Sequence, residues 1–350
     1  MAGKWIAEDN HITYSESGIL RRVSSETIMD CLYGDNSDTL PSLTEAFPEV
    51  HFSSLASPIR LSLCLNATGE EIQLNCYVIR RKKEIPVDLV NGVLLNQCLT
   101  QKEWFRISGN IEILNSIFKE LGILACGTIT FNQYLLLKRA AEKEELREMT
   151  DSVDPDFYRK VNVVRCPEIP AGIDAKLYPY QLDGYNWMRF MLSEGCGCIL
   201  GDEMGLGKTL QAISLINYQI DVGNKKNLVI CPVSLLENWK RECRKFAPDI
   251  DVYVHHGSKR TGYYKEFLEH DLVVISYNTA VSDLGMLKML LWDTVILDEA
   301  QNIKNFLSGR SIAVKKIPKR AGLAITGTPF ENHLTDIWSL ADFVLPGYMG

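Results

Sequence analysis

From residue 198 onward the chain repeats one pattern, a short run of Val, Ile and Leu followed by a stretch of helical length. The runs are "CIL" (198–200), "NLVICP" (227–232), "VYV" (252–254), "DLVVISY" (271–277), "DTVILDE" (293–299) and "GLAIT" (322–326). Between most of them lie segments such as "GKTLQAISLINYQI" and "SLLENWKRECRKF", whose length and pattern are helical. Apolar strands alternating with helices predict a parallel sheet covered on both faces. Ligands of such sheets bind beyond the carboxyl ends of the strands, and that is where the chemically suggestive residues fall.

The first of them form the loop "GDEMGLGKTLQA" (201–212), which follows a strand and opens a helix. It fits the phosphate-loop pattern G-x-x-x-x-G-K-[ST] at Gly207, Lys208 and Thr209, but Asp202 stands where the first glycine belongs. Gly205 and Gly207 can turn several N–H groups towards one point, and the helix start near Lys208 adds its positive end. The backbone from Asp202 through Glu203, Met204, Gly205, Leu206 and Gly207 would then cradle phosphate, with Lys208 on the β- and γ-phosphates and the Thr209 hydroxyl on Mg²⁺. A glycine-rich turn carrying a chance Gly-Lys-Thr is the bland alternative. The strand "TVILDEAQ" argues against it, because it ends about ninety residues later in two carboxylates. Asp298 is placed to hold Mg²⁺ and Glu299 to orient and deprotonate a water. Two further stretches are weaker alone. Thr326, Gly327 and Thr328 follow the last apolar run, where hydroxyls can sense a γ-phosphate or couple it to a second site. Gln181, in "LYPYQLDGYNWM", carries an amide able to bond an adenine edge.

The first half of the chain is of another character. "IRLSLCL" (59–65) and "IQLNCYVIRRKK" (72–83) alternate apolar and polar residues around "NATGEE", predicting a hairpin. Residues 103–121 show helical spacing interrupted by Gly109, and 129–149 are rich in helix formers. Arg80, Arg81, Lys82 and Lys83 read as a solvated strand end rather than a nucleic-acid patch. Pro167, Pro170, Gly172 and Pro179 punctuate a linker. The expected division is an accessory α+β domain over residues 1–165 and a nucleotide-binding α/β domain over residues 166–350.

The net charge of −7 argues against coating nucleic acid by bulk attraction. Local basic clusters after residue 166 leave room for a groove. The ten cysteines never form C-x-x-C, so reduced thiols acting as small core residues are expected rather than a metal site. No apolar run approaches the ~18 residues of a membrane span, and the first ten residues lack the layout of a signal peptide. A cytoplasmic protein is expected, nucleoid-associated if the host is prokaryotic.

The ordered series "YPYQLDGYNWM", "GDEMGLGKTLQ", "VICPVSLLENWKRECRKF", "VVISYNTA", "LDEAQNIKN" and "AITGTPFENHLTDIWSLADFVLPGYMG" resembles the first RecA-like lobe of Swi/Snf-type ATPases of helicase superfamily two. The resemblance runs from about residue 175 to the end. It implies ATP hydrolysis stimulated by duplex DNA, translocation and remodelling of protein–DNA complexes. In that family the loop reads Asp-Glu-Met-Gly-Leu-Gly-Lys-Thr, so Asp202 is the expected residue. By the same resemblance Gln181 is the adenine reader, and the stretches around Pro232–Ser234, His256–Gly257 and Ser276–Tyr277 grip DNA backbone. Three departures stand out: Tyr178 where the family often has Arg, Gln301 where His is commoner, and no second lobe with its arginine finger. Gln301 is the variant of microbial relatives. The second lobe is expected in cis downstream or in trans, and the protein client is open. Two other readings stand beside this one. The first is a truncated, non-catalytic ATP- and DNA-binding module. The second is a small P-loop kinase or GTPase, opposed by the Gln181 motif and the lack of an Asn-Lys-x-Asp stretch.

Overall fold

The computed structural model of the 350-residue chain describes residues 3–34, 40–154, 171–327 and 334–348. The chain separates into two compact units, residues 1–157 and 158–350. The boundary expected at 165/166 lies outside the described residues, as does Thr328.

The first unit is α+β. Strands β1 (Lys4–Glu8), β2 (His11–Glu16) and β3 (Ile19–Arg22) form an antiparallel sheet, followed by helices α1 (Ser25–Tyr33) and α2 (Leu43–Ala46). A larger mixed sheet runs in the order β6 (Lys83–Pro86), β5 (Ile72–Arg80), β4 (His51–Leu65), β8 (Glu103–Ser108), β7 (Gln97–Leu99). The expected hairpin is present as β4 and β5, paired from Ile59↔Val78 to Leu65↔Ile72. The expectation of one helix over 103–121 is corrected: Glu103–Ser108 is a strand, and only Ile111–Glu120 is helical, as α3. Gly109 at φ +122° separates them, and Trp104 and Phe105 are both fully buried between neighbouring strands. The helix expected over 129–149 is shorter, running as α4 from Phe131 to Lys143 behind a Thr130–Gln133 capping box. Two short strands, β9 (Gly127–Ile129) and β10 (Met149–Asp151), complete the unit. At the strand end, Arg80 turns inward to Glu103 (2.8 Å) and Ser53 (2.6 Å), while Arg81 is exposed.

One buried amide ties the two sheets of this unit together. Gln97 Oε1 accepts from the Ile12 N–H and the Trp104 indole, each at 3.0 Å, and its Nε2 donates to the carbonyls of Ile12 (3.1 Å) and Val23 (2.7 Å). All four bonding positions of the amide are filled.

The second unit is the six-stranded parallel sheet that the apolar runs predict. Its strands are β11 (Cys198–Leu200), β12 (Asn227–Cys231), β13 (Val252–Val254), β14 (Leu272–Ser276), β15 (Trp292–Leu297) and β16 (Lys319–Ile325), in the order β11-β16-β15-β12-β14-β13. Helices α5 (Pro179–Ser193), α6 (Lys208–Asp221) and α7 (Leu236–Phe246) are followed by α8 (Tyr277–Ser282), α9 (Leu284–Leu287), α10 (Gly309–Lys315) and α11 (Leu334–Val344). Alternate strand residues serve opposite faces. Val229, Cys231, Val274 and Ile296 pack with Ile213, Ile216 and Trp239, whereas Leu228, Ile230, Ile275 and Leu297 pack with Tyr277, Val314 and Phe343. This two-sided burial is why the strands read as continuous apolar runs.

The nine described cysteines are free thiols. Burial pushes Cys98 to about 11 and Cys196 and Cys243 to about 12, as expected of inert core residues. Among the described residues no helix is long and apolar enough to cross a membrane.

Replacing Gln97 with Leu strands four buried polar groups at once, so it should lower unfolding stability by at least about 2 kcal/mol. Urea denaturation checks this; an unchanged midpoint for the first unit would refute the brace.

Candidate nucleotide-binding site

Strand order sets the site. With β16 inserted between β11 and β15, the tip after Leu200, the tip after Ile325 and the tip after Leu297 lie side by side on one rim. The Thr326 N–H donates to the Leu200 carbonyl (3.1 Å), closing the first two tips together.

The loop from Gly201 to Gly207 leaves β11 and starts α6. Gly205 and Gly207 take φ of +85° and +75°. A side chain at Gly207 would also strike the Gln181 amide, whose Nε2 lies 2.3 Å from where its Cβ would be. Lys208 folds over the loop, donating to the carbonyls of Asp202 (2.7 Å) and Glu203 (2.8 Å). Asp202 is held from its other end by Gln211, a fully buried residue of α6 whose Nε2 donates to the carboxylate at 3.3 Å. Gln181, at the third position of α5, accepts from the Tyr178 N–H at 2.9 Å and donates to the Leu206 carbonyl at 3.1 Å. Its amide thus links the start of α5 to the loop. Pro179 begins α5 with its fixed φ, and Tyr178 and Tyr180 stack beside Gln181 with centroids 5.9 Å apart.

Beyond β15 the backbone makes an uncommon turn. Glu299 sits in the left-handed region (φ 51°, ψ 54°) without being glycine, a strained state that persists only where its surroundings impose it. The Asp298 carboxylate accepts from the Glu299 N–H (2.9 Å) and from the Trp239 indole N–H (2.8 Å). The buried Tyr277 hydroxyl donates to the Asp298 carbonyl at 2.9 Å. Burial pushes the Asp298 carboxyl above its usual range, against the two hydrogen bonds that pull it down. The Glu299 carboxylate accepts from Gln301 Nε2 (2.7 Å), and Gln301 Oε1 accepts from the Thr326 hydroxyl (3.1 Å). A relay therefore runs from the tip of β16 to Glu299.

Met204, Gly205, Gly207, Lys208, Thr209, Asp298, Glu299, Thr326 and Gly327 line one cleft of about 390 Å³, completed by Leu235 just before α7 and by Asn238, Glu242 and Phe246 along it. Asp202, Glu203, Leu206 and Gln181 support the loop without lining that cleft. A larger cavity of about 680 Å³ lies in the first unit, among Arg22, Glu26, Asn96 and Asn115. It holds no comparable set of phosphate-binding or catalytic groups, so chemistry rather than size selects the cleft in the second unit. Trp239, Gln211 and the α7 lining were not singled out from sequence. Trp239 acts through a partner 59 positions away, which spacing does not reveal, and Gln211 through Asp202, whose contact depends on the path of the loop between them.

The stretches read as DNA-gripping fall on the same rim. Ser234, His256 and Gly257 are exposed and Pro232 is half-buried. Ser276 and Tyr277 have buried side chains: Ser276 caps α8 through the Thr279 N–H (3.1 Å), and Tyr277 braces Asp298. From that turn it is Asn278 that meets solvent. The neighbouring His255 is buried and bonds Asp283 at 2.8 Å.

Fold and site together define a RecA-like, P-loop nucleotide-binding lobe. Residues 180–350 match the SNF2-related domain family, and this part of the chain is similar to Swi/Snf-type, helicase-like ATPases. The putative ATP-dependent helicase/translocase YwqA of Bacillus subtilis is 41% identical over 188 residues, which are 52% of this chain and 20% of that protein. An uncharacterized ATP-dependent helicase, MG018 of Mycoplasma genitalium, is 32% identical over 285 residues, covering 76% of this chain and 28% of the relative. That span exceeds the second unit, so the likeness enters the first. The ISWI chromatin-remodeling complex ATPase ISW1 of Saccharomyces cerevisiae is 39% identical over 186 residues, 51% of this chain and 16% of that protein. The chain spans less than a third of the length of these relatives.

The folded Asp298 carboxyl titrates above the unfolded one, so its charged form opposes folding above the unfolded value and the penalty vanishes below it. Asp298→Asn removes the charge but keeps only one acceptor oxygen, its NH₂ facing one of the two N–H donors. That lost bond costs the same at every pH, so the melting temperature of the variant relative to the wild type in EDTA should be highest at neutral pH and fall as pH drops below the ordinary carboxylate range. A difference of equal size at all pH values would refute the burial argument.

Proposed function

We propose that this chain is the ATP-binding lobe of a DNA-dependent ATPase and translocase that remodels protein–DNA complexes. The observation that carries it is the single cleft where Lys208, Thr209, Asp298, Glu299 and Thr326 converge. A lysine, a hydroxyl and two carboxylates around a glycine loop are the parts phosphoryl transfer needs. The relatives' names, an ATP-dependent helicase/translocase and a chromatin-remodeling ATPase, point the same way.

Lys208 would exchange its two loop carbonyls for phosphate oxygens, a replacement of neutral acceptors by charged ones. The donor set suits Mg²⁺. Asp298 has one neutral donor on each oxygen and so keeps acceptor capacity on both, and Thr209 supplies a hydroxyl. When bound, Mg²⁺ would supply positive charge that offsets that of the phosphates. Glu299, steadied by Gln301, would orient water and take its proton. Thr326, through Gln301, would report the state of the γ-phosphate to a second lobe, with Gly327 and Thr328 continuing that segment. Gln181 has spare amide capacity for an adenine edge beside its two backbone bonds. Duplex DNA would lie along the exposed turns at Pro232–Ser234 and His256–Gly257, where main-chain N–H groups and hydroxyls suit phosphate. The arginine finger of the second lobe would come from further sequence or a partner chain.

Lys208→Ala should weaken binding of a fluorescent ATP analogue at least about tenfold, the loss of one charge-assisted contact. In a form extended through a second lobe, Glu299→Gln should retain binding and lower turnover by about 10²-fold or more. Unaltered DNA-stimulated hydrolysis by that variant would remove Glu299 from the mechanism. An arginine finger contributes about 10³–10⁵ in rate in other phosphoryl-transfer systems, so the 350 residues alone should turn ATP over negligibly. Robust DNA-stimulated turnover by the purified chain would contradict the need for a second lobe.

A further inference from the structure

We infer that Trp239 is a positioning residue for metal binding, its indole N–H setting the direction of the Asp298 carboxylate. The inference rests on the nucleotide site proposed above and adds a residue that neither the phosphate loop nor the Asp-Glu turn contains.

The indole nitrogen can only donate, so the 2.8 Å contact has one possible sense, N–H to carboxylate oxygen. Both partners are buried, Trp239 at 1% exposure and Asp298 at 8%. Strand alternation explains the meeting. Asp298 shares parity with Ile296, which faces the α5–α7 side, and Trp239 packs on that side between Leu236 and Cys243 of its own helix. With those neighbours also fully buried, the ring is fixed by packing on a regular helix. The other carboxylate donor, the Glu299 N–H, belongs to the same turn and moves with it. Tyr277 and Ile230 hold the Asp298 backbone, so among the described residues Trp239 is the hydrogen-bond donor that refers the carboxylate itself to a different element.

Other buried tryptophans place their N–H on neutral oxygens: Trp5 on the Pro41 carbonyl (2.7 Å), Trp292 on the Leu287 carbonyl (3.1 Å) and Trp104 on the Gln97 amide (3.0 Å). Trp239 instead spends its N–H on a carboxylate that lines the cleft. Groups that orient a metal ligand in this way typically contribute about 10–100-fold to metal affinity. Helix α7 also begins directly after the turn at Val233–Leu235, so the strut joins that exposed turn to the metal side of the cleft.

The test uses the full chain and a fluorescent ATP analogue, titrating Mg²⁺ and repeating the nucleotide titration in EDTA. Trp239→Phe should raise the Mg²⁺ concentration for half-maximal tightening about tenfold or more, with metal-free affinity unchanged. An identical Mg²⁺ dependence would overturn the inference. So would equal weakening with and without Mg²⁺, which is what loosened packing produces. Should Trp239→Phe fail to fold, benzothienylalanine at 239 keeps the ring shape and lacks the N–H, and the same outcomes apply. Asp298→Asn separates this inference from the site it rests on. If wild-type binding ignores Mg²⁺ and Asp298→Asn changes nothing, the nucleotide site itself is wrong. If Asp298→Asn abolishes the Mg²⁺ effect while Trp239→Phe behaves as wild type, only the role of Trp239 falls.

Discussion

A parallel sheet cannot turn back on itself. Every strand must be reached by a crossover, so all of its carboxyl ends collect on one rim. The second unit depends on that constraint and on one detail of strand order. Because β16 lies between β11 and β15, the phosphate loop and the Asp-Glu turn are not direct neighbours. The space between them is filled by Thr326, whose N–H is tied to Leu200 and whose hydroxyl reaches Gln301 and through it Glu299. A shift at the tip of β11 would move Thr326, which reaches Glu299 through Gln301. Coupling is built into the sheet order before any ligand is considered.

The same rim concentrates unfavourable states. Glu299 holds a left-handed backbone that a side chain disfavours, at about 1–3 kcal/mol. Asp298 is a buried carboxylate whose charge is supported by two neutral N–H donors and the nearby Lys208. These states persist because the surrounding packing leaves no alternative, with two buried clusters clamping the strands from both faces. Phosphate and metal would relieve the site, which makes binding favourable where folding is not.

Much of this architecture was legible in the residues, and for a physical reason. Strands buried on both faces have to be apolar at consecutive positions, so β12, β14 and β15 announce themselves. The phosphate loop and Asp298–Glu299 were legible because their residue types are set by local geometry. The misreading of 103–121 has the opposite cause. Apolar residues in "EWFRIS" fall at helical spacing as readily as at strand spacing, and pairing with β4 and β7 decides between them. Gln97 and Trp239 were opaque, and Tyr277 was read as a DNA contact rather than a brace, for a third reason. Each is defined by a hydrogen bond to a group remote in sequence, such as Trp239 to Asp298, 59 positions apart. Residue spacing carries no trace of such a bond.

The phosphate loop shows why its one irregular position is tolerated. Among its residues only Gly205 and Gly207 have positive φ, so the backbone at Asp202 takes angles open to any L-residue, and glycine is not required there. What position 202 supplies is a carbonyl turned towards Lys208 and a side chain long enough to reach Gln211. A glycine would keep the first contact and lose the second, leaving the buried Gln211 amide without its carboxylate and the loop without its tie to α6. Asp202 therefore converts a flexible loop into one anchored from beneath, while Gln181 anchors it from the side. The cradle is pre-shaped at the two points where it would otherwise be free to move, and less ordering remains to be done when an anion arrives.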